Sequence, residues 1–156
     1  MTTEALLSLG SNIGDRKALI DAAVARLAAL PGTEVRARSS YYRTEPVGPV
    51  AQEWFLNIAV ALDTNLGFEA LAAACRMIET DLGRDRSREV SSGPRPIDID
   101  VLTHGDIAKP DDRAFVLVPL AEIVPDALVA GVPVRQRLAK VRATGVEKLD
   151  WPSPPT

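Results

Sequence analysis

An α+β domain with the element order β-α-β-β-α-β is what this chain predicts, and three observations predict it. Its apolar residues change period along the sequence, from short runs and two-residue alternation to helical spacing and back. Glycine, proline and asparagine gather between those segments, where turns belong. The 156 residues, 46% of them apolar, with 18 basic and 21 acidic side chains, make one domain's worth of sequence with an ordinary globular balance.

Ala5 to Leu9 is a short apolar run ending at Gly10-Ser11-Asn12, which reads as a buried strand entering a turn. Leu19, Ile20, Ala23, Val24 and Leu27 then recur at helical spacing, with Asp15 placed to cap the start and Pro31-Gly32 to stop the segment. Val35 to Tyr42 alternates as a strand with one wet face does, and Phe55 to Leu62 gives another, with the turn-rich stretch from Thr44 to Pro49 between them. Phe68, Leu71, Ala72, Cys75, Ile78 and Leu82 mark a second amphipathic helix ending at Gly83, with Cys75 as a small core residue on it. Ile97 to Thr103 is the next strand, and His104 follows as a surface turn residue. Phe115 to Leu120 begins a further ordered stretch that breaks at Pro125, and Pro133 to Val141 reads as a short final helix. This order is the ferredoxin-like split βαβ pattern, two helices on one face of a four-stranded antiparallel sheet, with C-terminal additions. No repeat or low-complexity linker divides it, so residues 1–150 are expected to form one domain and 151–156 a nonhelical tail.

Composition excludes several classes. One cysteine cannot make an intramolecular disulfide, and one histidine leaves no His/Cys cluster for structural zinc. No apolar run approaches the roughly 20 residues that cross a bilayer, and the start lacks the pattern of a secretory signal, so a cytoplasmic protein without a membrane partner is expected. The net charge of −3 argues against a nonspecific nucleic-acid binder. There is no G-x-x-x-x-G-K-[ST] and no G-x-G-x-x-G, which removes P-loop and Rossmann readings.

The charges are not spread evenly. Fourteen of the 18 basic residues are arginines, and Arg84, Arg86, Arg88 and Arg95 fall within twelve positions. Arginine's planar fork of donors suits phosphate and carboxylate, so the cluster reads either as an anion site or as a solvated loop paired with Glu79, Asp81 and Glu89. Asp98 and Asp100 follow it on the strand, where alternation turns both carboxylates to one face and Ile97, Ile99 and Val101 to the other. Two like charges about 7 Å apart repel unless solvated, protonated or bridged by a cation. Mg²⁺, usually held by one or two carboxylates plus waters and phosphates, is the economical bridge. Arginines for phosphate oxygens beside acids for a metal make the division of labour that phosphoryl transfer needs.

Five strings, in order, carry a resemblance: Leu9-Gly10-Ser11-Asn12; Tyr42-Arg43-Thr44-Glu45-Pro46-Val47-Gly48; Phe55-Leu56-Asn57; Gly93-Pro94-Arg95-Pro96-Ile97-Asp98-Ile99-Asp100; and Arg113-Ala114-Phe115-Val116-Leu117-Val118-Pro119-Leu120. Together they resemble the 6-hydroxymethyl-7,8-dihydropterin pyrophosphokinase family of folate biosynthesis, over most of the chain. The resemblance implies a ferredoxin-like fold, a monomer, and transfer of a pyrophosphoryl group from ATP to the pterin hydroxymethyl with release of AMP. It implies that Asp98 and Asp100 hold two Mg²⁺ ions and that, with Arg86 and Arg95, they are catalytic. Glu79, Arg86, Arg95, Ile99 and Arg113 match nucleotide-site positions. Asn57 matches a pterin-bonding asparagine, Phe55 and Phe115 the aromatic walls of the pterin slot, and Thr44, Glu45, Pro46 and Val47 the loop at its edge. For Glu79 a salt bridge to Arg84 is an equally good account, and Arg84 and Arg88 are placed less securely.

Three departures from the family pattern are visible. Ser91-Ser92 stands where an aromatic usually precedes Gly-Pro-Arg, and Arg76 stands where a glutamine is common. Gly105-Asp106 reaches Arg113 through only Ile107-Ala108-Lys109-Pro110-Asp111-Asp112, without the strand and Pro-His element that help form the family's adenosine pocket. The expectation is an intact pterin and metal site beside a reduced nucleotide site. The alternative reading is a diverged paralog that binds a pterin or a related heterocycle without efficient transfer.

Overall fold

In the computed structural model, which describes residues 1–91 and 93–154, the chain forms strand β1 (Thr3–Ser11), helix α1 (Arg16–Ala28), strands β2 (Thr33–Arg38), β3 (Tyr42–Thr44) and β4 (Phe55–Thr64) and helix α2 (Phe68–Asp81). A 3₁₀ turn (Arg86–Arg88), strands β5 (Asp98–His104) and β6 (Ile107–Ala108), helix α3 (Ala114–Ile123), a hairpin of β7 (Leu128–Val129) and β8 (Val132–Pro133), helix α4 (Val134–Leu138) and strand β9 (Val146–Lys148) complete it. Asp15 caps α1, its carboxylate accepting from the Ala18 N–H. The main sheet runs β6-β5-β1-β4-β3-β9, with β2 also on β4, and every pairing is antiparallel. At its centre are the four ferredoxin-like strand positions, the second of them in chain order divided between β2 and β3.

Alternation along the strands sends side chains to two cores. Ala5, Leu7 and Leu9 of β1 and Leu56, Ile58, Val60 and Leu62 of β4 pack under α1 and α2 with Ile20, Leu27, Leu71, Cys75 and Ile78. Leu6, Ala59, Ala61 and Leu102 face the other way, against Val116 and Leu120 of α3 and Val134 of α4. The stretch beginning at Phe115 is thus a helix that covers the second sheet face.

That cover is partial, and this positions the site. Along the α3 side of the sheet, β1 runs from Leu6 through Ser8 to Gly10, β4 from Ala61 and Ala59 to Asn57 and Phe55, and β5 from Leu102 to Asp100 and Asp98. The first members lie under α3 in the second core; Gly10, Asn57, Phe55, Asp100 and Asp98 line a cleft.

Two local expectations change. Val35 to Tyr42 is two strands, because regular pairing is interrupted at Ser39 and Ser40, although the Ser39 N–H still bonds the Ala59 carbonyl at 2.9 Å. The Ser39 hydroxyl accepts from the Ala59 N–H at 2.9 Å, and the Ser40 N–H is drawn away to Glu122 at 3.0 Å. His104 ends β5 half-buried. Its Nε2 hydrogen-bonds the Leu66 carbonyl at 2.8 Å and its ring meets Phe68 edge-on at 6.2 Å, so it ties β5 to the start of α2. The tail begins with Trp151 against Tyr41, ring centroids 5.8 Å apart; Ser92, Pro155 and Thr156 lie outside the described residues.

Glu122 of α3 accepts from the Ser40 N–H, the Ser40 hydroxyl (2.8 Å) and the Tyr42 hydroxyl (2.7 Å), pinning α3 across the sheet. Partial burial opposes its ionisation, but these donors hold its carboxyl below the ordinary value. Its contribution to stability is therefore present above about pH 4.5 and lost as pH falls through its lowered folded value. Glu122→Ala is expected to cost about 2 kcal/mol in urea unfolding at pH 7, with the difference from the parent shrinking toward pH 3.

Candidate active site

The cleft is assembled from a helix end. Helix α2 stops at Gly83, whose φ of +104° suits glycine; the Gly83 N–H bonds the Thr80 carbonyl and the Arg84 N–H the Glu79 carbonyl, at 3.1 and 3.0 Å. This reversal brings Arg84 back onto Glu79, where Nη1 meets Oε2 at 2.7 Å with both side chains only 2% exposed. Arg84 also donates to both carboxylate oxygens of Glu89, to Asp98 Oδ1 at 3.0 Å and to the Ile97 carbonyl at 3.3 Å. Burial would lower its pKa, but this ring of acceptors raises it, so the guanidinium stays charged. Glu79 in turn accepts from the Ile99 N–H at 2.8 Å and from Arg86 at 2.7 Å. One buried pair thereby joins α2, the arginine loop and the acid strand.

Asn12 makes the second junction. Its side chain accepts from the Arg95 N–H at 2.9 Å and donates to Gln52 Oε1 and the Glu53 carbonyl at 2.9 and 3.0 Å, while its N–H bonds the Arg95 carbonyl. The end of β1, the Gln52–Glu53 turn and the Arg95 segment are held together at one buried amide.

Between these junctions lies a cleft of about 470 Å³ lined by Thr44, Glu45, Val47, Phe55, Asn57, Arg86, Arg95, Asp98, Asp100, Arg113 and Phe115, along with Gly10, Gly48, Arg84, Ser91 and Gly93. Of the residues singled out in the sequence, Pro46 lies instead on an adjoining recess of about 370 Å³. Glu79 and Ile99 line a second cavity of about 630 Å³ between α2 and residues 109–113, which shares Arg86, Asp100 and Arg113 with the first. Ile99 is otherwise a core residue. The shortened connection after β5 still makes a short strand and closes a wall of that cavity with Lys109, Pro110, Asp111 and Asp112. Arg88 stays on the surface, 87% exposed, 3.5 Å from Asp85.

Electrostatics separate the two acids. Asp98 Oδ1 accepts from Arg84 Nη1 at 3.0 Å. Asp100 faces the other carboxylates, and crowding by protein together with the charges of Asp98 and Glu79 pushes its carboxyl up to about 7. Arg113 lies over the Phe115 ring at 4.5 Å and is held by Asp111 through Nε (2.9 Å) and Nη2 (2.6 Å). Burial opposes ionisation of Asp111, but these bonds lower its pKa. The Cys75 thiol, buried and near Glu79 and Asp100, is pushed up to about 12 and is inert packing.

The keystone role of Arg84 and the parts played by Asn12, Gly10 and Asp111 were not legible as site features. Asn12 and Gly10 stand in the Leu-Gly-Ser-Asn string, and Gly83 after an amphipathic helix was the signal for the reversal that buries Arg84.

Arginines facing a carboxylate pair, with an aromatic and amide end to the same cleft, define an enzyme of the phosphoryl-transfer class on a ferredoxin-like fold. The family model for 7,8-dihydro-6-hydroxymethylpterin-pyrophosphokinase matches residues 6–125. A 2-amino-4-hydroxy-6-hydroxymethyldihydropteridine pyrophosphokinase of Methylorubrum extorquens is 49% identical over 159 aligned positions, covering 95% of this chain and 99% of that one. The Pseudomonas aeruginosa protein of the same name is 36% identical, covering 96% and 98%. Among solved structures, a triple mutant of the Plasmodium falciparum HPPK-DHPS with pteroate superposes with a TM-score of 0.68 at 14% identity, over 90% of this chain and 43% of that longer one. The chain belongs to the hydroxymethyldihydropterin pyrophosphokinase family and is an ATP-dependent pyrophosphokinase.

Two outcomes are expected. Glu79→Ala leaves Arg84 its pairs with Glu89 and Asp98 but strips the buried Ile99 N–H and one Arg84 donor of their acceptor, so it should cost about 2–4 kcal/mol in denaturant unfolding. Asp100, with a raised folded pKa, lowers stability as pH climbs from about 4 to 7. In metal-free buffer Asp100→Asn should thus match the parent at pH 4 and exceed it at pH 8, by about 1 kcal/mol given solvent screening.

Proposed function

We propose that the protein transfers a pyrophosphoryl group from ATP to the hydroxymethyl of 6-hydroxymethyl-7,8-dihydropterin, releasing AMP, as a Mg²⁺-dependent step of folate biosynthesis. The observation that carries this reading is the two-ended cleft, with Phe55 and Asn57 on β4 making one end beside Phe115, Asp98 and Asp100 on β5 making the other with Arg86 and Arg95, β1 between the two strands, and Arg113 over the Phe115 ring. A flat heterocycle with a donor and acceptor edge suits the first end, Phe55 and Phe115 offering apolar faces, Asn57 an amide, and Thr44, Glu45, Pro46 and Val47 the loop at its rim. The triphosphate suits the second.

The acids fit a hard cation. Among the described residues no three His, Cys, Asp or Glu side chains gather as a protein cage, and two carboxylates sharing an ion with phosphates and waters is the ordinary Mg²⁺ arrangement. Crowding by protein and, after it, the charges of Asp98 and Glu79 raise the pKa of Asp100, and such an ion would balance that negative charge. Asp98 and Asp100 would hold Mg²⁺, which when bound neutralises phosphate charge and orients the β-phosphorus.

The chain's own groups do the rest. Arg95, set by Asn12, and Arg86, tethered by one donor to Glu79, offer their remaining N–H groups to phosphate oxygens, and Arg113 does the same from above Phe115. With the pterin held at the amide end, its hydroxymethyl oxygen bonds to the β-phosphorus as the bond from that phosphorus to the α–β bridging oxygen breaks. AMP leaves with the electron pair and the hydroxyl proton passes to solvent. Positioning and charge neutralisation supply most of the catalysis. The adenosine end falls to the second cavity, where Glu79 and Ile99 contribute wall. We propose also that residues 1–150 act as one domain, with 151–156 as a tail, and that the enzyme works as a cytoplasmic monomer: one chain supplies the whole cleft, and a single buried thiol suits a reducing compartment.

AMP formation from ATP, Mg²⁺ and the pterin alcohol is the direct test, and its absence would overturn the reading. Asp98→Ala or Asp100→Ala is expected to lower turnover at least 100-fold while circular dichroism stays that of the parent. Because the connection after β5 is short and gives the second cavity only residues 109–113 among the described residues beyond β6, base discrimination should be weak. Competition titrations with Mg²⁺ should find GTP within about tenfold of ATP, a difference under about 1.4 kcal/mol.

A further inference from the structure

Strand β3 is three residues long and leads into the rim of the cleft: Thr44 is its last residue, and Thr44, Glu45 and Val47 line the cleft. On one side it pairs with β4. On the other it pairs with β9 at the edge of the sheet, Tyr42 against Lys148, Arg43 against Glu147 and Thr44 against Val146. The contact continues past both ends of β9, where the Glu45 N–H bonds the Gly145 carbonyl at 2.9 Å and the Leu149 N–H the Tyr41 carbonyl at 2.8 Å. Val141, Thr144 and Val146 also wall the recess that adjoins the same rim.

A three-residue strand at a sheet edge makes few ladder bonds and frays unless its ends are held. Both ends are held here. At Gly145 φ is +76°, and a Cβ there would stand 3.3 Å from Glu45 Cγ, so glycine is what lets the chain turn this close to the rim. At the far end Leu149 packs against the first core and Trp151 against Tyr41. Tyr41 is a firm seat: it is fully buried, its hydroxyl donates to Asp21 of α1 at 2.5 Å, and the Arg38 guanidinium lies over its ring at 5.2 Å. We propose that Gly145 and Trp151 are positioning residues that anchor the two ends of a C-terminal strap, residues 145–151, which fixes Thr44 and Glu45 and through them how tightly the cleft holds its pterin. The strap supplies none of the residues that line the cleft, so it acts through β3. The phosphate end, on β5 and the arginine loop, lies beyond β4 and β1 and is outside its reach. This inference rests on the pterin reading given above.

The test pairs Gly145→Ala, which strains the left-handed turn and sets a methyl against Glu45, with Trp151→Ala, and keeps Trp151→Phe as the conservative rescue. Steady-state kinetics with Mg²⁺ should find the KM for the pterin alcohol raised about fivefold or more in both alanine variants, with kcat and the KM for ATP within about twofold of the parent. Trp151→Phe should match the parent. A second readout needs no ligand: the Glu45 amide should exchange with solvent about tenfold faster in both alanine variants, while the Leu9 amide in the middle of the sheet keeps its rate. A strap that serves stability alone would lower the melting temperature and leave the pterin KM where it was, which would overturn the proposal. So would an equal rise in both KM values, or an unchanged Glu45 exchange rate. A parent that forms no AMP from the pterin alcohol, with faster Glu45 exchange in the variants, would overturn the substrate reading and with it the claim about pterin, leaving the hold on the rim established.

Discussion

Glu79 and Arg84 face each other at 2.7 Å almost out of solvent, and nearly everything that positions the cleft is tied to one of them. Glu79 reaches the backbone of β5 at Ile99 and the guanidinium of Arg86. Arg84 reaches Asp98, the Ile97 carbonyl and Glu89. A buried pair of this kind contributes little net stability compared with apolar packing, since desolvation offsets attraction. Its use here is geometric. A charge without water must keep its partners, so α2, the arginine loop and the acid strand cannot drift apart.

The same pair explains why the two aspartates differ although strand alternation makes them look equivalent. Arg84 has committed one donor to Asp98, while Asp100 is crowded by protein and faces the charges of Asp98 and Glu79. The repulsion that the sequence implied is thus concentrated on one carboxyl. It is a local instability kept where a metal ion and phosphates would relieve it, a common trade at functional sites.

On the opposite side of the cleft the constraint is packing. Helix α3 covers only part of one sheet face, so the strands β1, β4 and β5 pass from core residues to cleft residues within two or four positions. Phe115 belongs to both regimes, partly buried against the second core and on the cleft wall with Arg113 over its ring. Asn12 and Glu122 lock this half through hydrogen bonds to segments more than forty residues away in sequence on at least one side.

Local order was determined by the sequence itself: strand and helix periods, the Asp15 cap, the break at Gly83, and the shared face of Asp98 and Asp100 all follow from patterns a few residues long. So did the strings that mark the family. What only the tertiary structure decided concerns partners distant in sequence. It interrupted the strand at Ser39 and Ser40, where the Ser39 hydroxyl takes the Ala59 N–H and Glu122 the Ser40 N–H, turned the segment after Arg113 into a helix on the second face, drew His104 to the Leu66 carbonyl, and made Arg84 a buried strut. Periodicity reports which face a residue shows; it carries no information about which charge or amide meets it there, because that depends on chain segments brought together only when the sheet closes.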